Sequence, residues 1–342
     1  MNLTFALALA GGAVLLAVAV QGYVSSRRAG PRRAEAEPPS PAAAAAERIE
    51  PSLGAAAAAP ELRPQPVRRS VKLDALIDAI VTLTLEAPIS GELVVAHLPP
   101  SRRAGTKPFY IEGLDAESGE WETPLPGHRY GELQAGVQMA GRSGALNEIE
   151  YSEFVQKVQA FAEATGAMPD FPDMLDVVAR ARELDALASP LDTQLTVTLR
   201  TSGVAWSVGY VQQCASRHGF VPGAVPGRLV LAAAEDGAPP VLVLGFDAQA
   251  ALAEDPQQAA VRSCTLALDV PQSPQGAEPF PLWHRTATAL AGDMDATPVD
   301  DQGQPVTLQA FAAIGRELET LYGKLEALDL AAGSPAARRL FS

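Results

Sequence analysis

The chain has 342 residues, 47% hydrophobic and 19% charged, with a formal net charge of −14. That is enough apolar material for one large domain or two ordinary ones, and too little positive charge for a nucleic-acid-binding surface. Residues 1–70 carry eight Arg and five Glu, leaving 18 Lys and Arg against 35 Asp and Glu in residues 71–342, so anionic lipid also repels the body of the protein.

Residues 3–24, LTFALALAGGAVLLAVAVQGYV, form an uncharged run of 22 residues. As a helix this run measures ~33 Å, enough to cross a hydrocarbon core of about 30 Å. Arg27, Arg28, Arg32 and Arg33 follow it and no Lys or Arg precedes it. A cleaved secretory signal has the opposite polarity, with its positive charges first. The positive-inside bias therefore predicts a transmembrane anchor over residues 1–26, with the amino terminus outside and everything after it cytoplasmic. Residues 27–70 are rich in Pro and Ala and lack aromatics. They cannot bury enough surface to offset the entropy of ordering, and read as a linker.

The body starts near Val71. IDAIVTLTL (77–85) resembles LDTQLTVTL (191–199), and RELDAL (182–187) resembles RELETL (316–321). The two matches occur in the same order, which predicts an internal duplication with halves at 71–189 and 190–331 and a short tail at 332–342. In the first half the apolar spacing predicts a strand at 79–86, a helix at 90–98 stopped by Pro99 and Pro100, and a strand at KPFYIEGLD. Extended pieces follow at 119–123 and 131–140, then helices over 151–166 and 171–187. In the second half it predicts a strand at 193–200, a helix at 204–218, a turn-rich strand FVPGAVPGRLVLAA, and strands at 240–247 and 263–271. Helices at 277–291 and 307–328 close the chain. Strands mixed with helices, without regular alternation, indicate an α+β fold with helices on one face of a mostly antiparallel sheet.

Little in the sequence points to catalysis. Cys214 and Cys264 lie outside any Cys-x-x-Cys or Cys/His cluster and read as small buried residues. None of His97, His128, His218 and His284 has a partner at metal-ligand spacing along the chain. GDMDATPVDDQG (292–303) is acidic but lacks the Gly and Glu positions of a calcium loop, and reads as a solvated turn between two helices. VPGAVPG (221–227) is a doubled Pro-Gly turn with no phosphate-loop lysine after it. The expectation is a protein that is not an enzyme, with no cofactor and no metal.

The anchor and its flank, LALAGGAVLLAVAVQGYVSSRRAGPRR, resemble the amino terminus of the ZipA family of bacterial division proteins. QLTVTL, the helix ending in RHGF, PPVLVLGF, CTLALDVPQ, LAGDMDATPVDDQGQPVT and the final helix resemble its globular domain, and ISGELVVAHL resembles its first helix. The resemblance implies a ZipA-like split β-α-β fold, here in two tandem copies where the family has one. It also implies a shallow groove on the sheet face away from the helices, which takes the C-terminal tail of FtsZ, the tubulin-like GTPase of the division ring. Carried over by position, the groove strands present Thr196 and Thr198, then Val225, then Gly245 and Asp247, then Thr265 and Ala267. The family has large apolar side chains at several of these places, so the groove can alternatively lie on the first half or on the seam. The function implied is a division adaptor in the inner membrane, held to lipid by its N-terminal helix. The alternative is a cell-envelope protein with a periplasmic body.

Overall fold

A computed structural model describes residues 73–342. The expected anchor and linker lie outside the described residues, and among the described residues no helix is long and apolar enough to cross a membrane. The first half runs β1 (Asp78–Ser90), α1 (Gly91–His97), β2 (Arg103–Ala104), β3 (Lys107–Asp115), β4 (Trp121–Glu122) and β5 (Arg129–Gln138). A small hairpin, β6 (Ala140–Gly141) and β7 (Gly144–Ala145), leads to α2 (Glu148–Thr165), β8 (Met168–Asp170) and α3 (Met174–Ala188). After a 3-10 turn at Ser189–Leu191 the second half runs β9 (Gln194–Thr201), β10 (Trp206–Ser207), α4 (Val208–Arg217), β11 (Val221–Pro222), β12 (Arg228–Leu231) and β13 (Leu242–Gly245). It continues with α5 (Ala248–Ala251), β14 (Ala260–Val261), β15 (Ser263–Asp269), α6 (Pro279–Met294), β16 (Ala296–Val299), α7 (Leu308–Ala327) and α8 (Pro335–Leu340).

The strands build two six-stranded antiparallel sheets, so the fold is α+β. The main path of the first is β2-β3-β5-β1-β8, with β4 on β3; the second is β11-β12-β13-β15-β9-β16. In each half the leading strand (β1 or β9) sits between the same two neighbours: the last main-sheet strand before α2 or α6 (β5 or β15) and the strand after that helix (β8 or β16). The short sequence matches fall on β1 and β9, and on α3 and α7, which hold equivalent places in this order.

Alternation sets which side chains each sheet buries. In β1, Ala79, Val81 and Leu83 are buried while Thr82 and Thr84 are exposed; in β9, Val197 and Leu199 are buried while Thr196 is exposed. The helices supply the matching apolar faces. Phe154 of α2 meets Phe109 of β3 edge-on, with ring centroids 5.5 Å apart. In the second half, Trp283 of α6 is buried and donates from Nε1 to the Leu266 carbonyl at 3.2 Å. Asn147 and Glu150 form a reciprocal capping box that starts α2, and Gly166, at φ 71°, ends it in the left-handed conformation.

Three readings of the sequence change. The acidic stretch 292–303 is not only a turn, because Ala296–Val299 pairs with β9 as an edge strand. Its counterpart β8 was likewise not expected. The predicted helix 204–218 begins only at Val208, because Trp206 and Ser207 pair with β14 and Ser207 then caps the helix through the Tyr210 amide. Finally, residues 332–342 hold a capped helix rather than a bare tail. Leu340 and Phe341 of this segment, with Leu325 and Leu330 before it, are buried in the first half's core. The chain that completes the second half therefore returns to pack on the first.

Candidate functional site

Each sheet has an outer face, away from its helices, and the two faces differ. On the first half, Tyr110, Glu112, Gln134, Gly136, Gln138, Asp78 and Ile80 point outward by register. Leu73 and the C-terminal helix cover part of this face. Arg339 of α8 forms a two-point ion pair with Asp78, at 2.8 and 2.5 Å, and lies 4.9 Å from the centre of the Tyr110 ring. Gln138 donates to the Arg339 carbonyl at 2.9 Å. Leu73 sits over Gly136, whose missing Cβ would come within 2.6 Å of the leucine, and the Leu73 amide donates to Glu112.

Among the described residues, the second half's outer face is covered only along its β16 edge, where the 300–306 turn folds over Val299 and Arg200. Reading across β9, β15, β13 and β12, one row is Thr196, Ala267, Val243 and Val230, and the next is Thr198, Thr265, Gly245 and Arg228. Of the residues the resemblance implied, Thr196, Thr198, Gly245, Thr265 and Ala267 therefore lie together on this one face. Val225 stands 51% exposed in the turn between β11 and β12, at the rim. Asp247 is outside the face; its carboxylate caps α5 by accepting from the Gln249 and Ala250 amides. Beyond the outer strands, the bridge between Val299 and Pro305 folds the 300–306 turn back along β16 and buries Val299. The result is a shallow trough floored by Thr, Gly and Ala, with Val230 and Val243 half-buried in it. The sequence reading missed these two valines because it matched residues by position. The alternation of RLVL against PVLVLG could have found them.

Two other clusters come together in space that the sequence keeps apart. At one end of the first sheet, His128 Nδ1 lies 2.9 Å from Asp115 Oδ2 and 2.8 Å from Glu122 Oε1. Asp115 also accepts from the Ser118 and Glu117 amides, and these bonds, with that from His128, hold its pKa down to about 2 despite burial. The Asp115 hydrogen bond in turn raises the pKa of His128, so the imidazolium form is favoured and offsets one of the two carboxylate charges. Tyr130, pushed up to about 12 mainly by burial, donates to Glu122 at 2.8 Å. The three ligating atoms lie within 4.8 Å of one another, close enough in principle to hold a cation. Sequence spacing missed the group because its members come from the end of β3, from β4 and from the loop before β5.

The second cluster lies on the seam between the halves. Arg142 bridges Asp192, at 2.6 Å, and Asp269, at 2.7 Å. Beside it is a cavity of about 250 Å³ lined by residues that include Arg142, Asp185, Asp192, Leu340 and Phe341. The arginine's charge is spent on the two aspartates that join the halves, which marks the seam as structural.

Together these features define an α+β protein with two sheets of matching topology, one outer face partly covered by Leu73 and the C-terminal helix, the other, among the described residues, covered only along its β16 edge. No protein-family model matches the chain, and no curated protein matches it by sequence.

Proposed function

We propose that the protein is a membrane-anchored, non-enzymatic adaptor of cell division. In this reading residues 1–26 anchor it in the inner membrane, residues 27–70 tether it, and the two halves are tandem ZipA-like split β-α-β domains in the cytoplasm. The second half's outer face then binds the C-terminal tail of FtsZ and so holds the division ring at the membrane. The observation that carries the reading is the trough of Thr196, Thr198, Val243, Gly245, Thr265 and Ala267, open among the described residues, set against the partly covered counterpart on the first half. The order of charge around the apolar amino-terminal run supports the orientation. Tethering raises the partner's local concentration, so even a micromolar contact at a shallow face is sufficient.

The test is recruitment. Vesicles carrying the full chain are mixed with FtsZ, or with FtsZ lacking its C-terminal tail, and pelleted. The proposal expects the intact protein to pellet and the truncated one to stay in solution. Equal recovery of both, or of neither, refutes it.

A further inference from the structure

The trough on the second half is polar at one end in a way the docking proposal alone does not require. At the seam end, Asp269 is ion-paired with Arg142, which it shares with Asp192. At the opposite end the trough is flanked by Arg228 on β12 and Arg200 on β9, with Arg262 just before β15. All three arginines are exposed, and among the described residues none of their side chains takes part in an ion pair or hydrogen bond. Nearby acids are committed elsewhere. Asp247 caps α5, and Asp300 accepts from the Gln302 and Gln304 amides within the 300–306 turn. Gly303 of that turn lies close over the Arg200 guanidinium, which fixes one wall. Between the arginines the floor is empty: a Cβ built on Gly245 would meet nothing nearer than the Thr265 carbonyl, at 3.9 Å. In a body with 18 Lys and Arg against 35 Asp and Glu, unpaired cations around an open apolar face complement an anion.

The spacing restricts the ligand further. From β12 to β9 is three inter-strand steps, or roughly 14 Å, which an extended chain covers in about four residues. We infer that the trough binds an extended acidic-apolar peptide lying across the strands. Two carboxylates about four positions apart reach Arg228 and Arg200, and the apolar residues between them cross Gly245 and Thr265, against the adjoining row of Val230, Val243 and Ala267. This rests on the reading of the open face as a docking site, and adds which class of segment it selects. The two arginines set specificity, and the valines supply apolar area.

Fluorescence anisotropy on the full chain in mild detergent tests this with two labelled eight-residue peptides. They share a central Val-Ile-Val and differ only in whether that segment is flanked by two glutamates or two lysines. The glutamate peptide is expected to bind about tenfold or more tighter, as charge-assisted pairs predict, and to weaken with added salt. The double variant Arg200→Glu with Arg228→Glu is expected to reverse the preference. Equal binding of both peptides, binding of neither, or an unchanged preference in the double variant overturns the inference. An FtsZ tail peptide run in parallel separates the two ideas. Tail binding that Ala267→Arg abolishes but charge reversal leaves unchanged keeps the docking face and removes the arginines' role. Glutamate-peptide binding without tail binding keeps the arginines and removes FtsZ as the partner.

Discussion

The ion pair between Arg339 and Asp78 closes the first half's outer face and ties the last helix to the first strand, so breaking it should be costly. The Asp78 side chain is fully buried and that of Arg339 is 12% exposed. In Arg339→Met, the Asp78 carboxylate keeps one polar partner, the Asp74 amide at 2.9 Å. Removing one member of a buried pair costs about 3–5 kcal/mol, and the surviving amide bond offsets roughly 1 kcal/mol of that. Loss of the guanidinium above Tyr110 adds about 0.5–1 kcal/mol. The net expectation is ~3 kcal/mol or slightly more, read as a lower midpoint in urea unfolding of the full chain in mild detergent. The double variant Arg339→Met with Asp78→Asn leaves no charge buried and should recover most of the loss. A single-variant cost below about 1 kcal/mol, or a double variant as unstable as the sum of the singles, would refute the claim that this pair holds the carboxyl-terminal segment in place.

Three further outcomes follow from local geometry. A Cβ at Gly91 would come within 1.9 Å of the Leu125 carbonyl, so Gly91→Ala must displace the 123–128 loop. It should cost about 1–3 kcal/mol in thermal unfolding, whereas Gly131→Ala, with open space around it, should be nearly silent. The raised pKa of His128 means that its contribution to stability is complete below its unfolded value, near 6.5, and is lost as pH rises through the folded value. Asp115 has the opposite sign: its contribution is present above about 3.8 and lost as pH falls toward about 2. Unfolding midpoints followed from pH 5 to 9 should fall toward the alkaline end, and His128→Gln should flatten that slope. Cys264, pushed up to about 12 mainly by burial, should resist iodoacetamide at pH 8 until the second half unfolds, as mass spectrometry of the labelled chain will show.

Long periodic segments were legible because their side chains report their own burial. KPFYIEGLD is β3 as read, and the α2, α6 and α7 helices fall within a few residues of their expected ends. The edge strands were hidden. Both β8 and β16 are short and contain a proline, Pro169 or Pro298, which is tolerated only at an edge and reads locally as a turn. The role of residues 332–342 was hidden for another reason. Arg339 looks like a surface cation until Asp78, 261 positions away, is placed beside it. The candidate face was half legible. Alternation puts Thr196, Thr198, Thr265 and Ala267 on one side, but which outer face is covered depends on where Leu73 and the C-terminal helix pack, and no local pattern encodes that.

The most direct test of the docking claim is a titration of labelled FtsZ C-terminal tail into the full chain and two variants, each adding an arginine to one outer face. Thr82 is exposed on the first half's outer face and Ala267 lies in the second half's trough. Saturable binding is expected of the parent chain, with little change in Thr82→Arg and a loss of about tenfold or more in Ala267→Arg. No saturable binding, or a loss confined to Thr82→Arg, would contradict the docking claim.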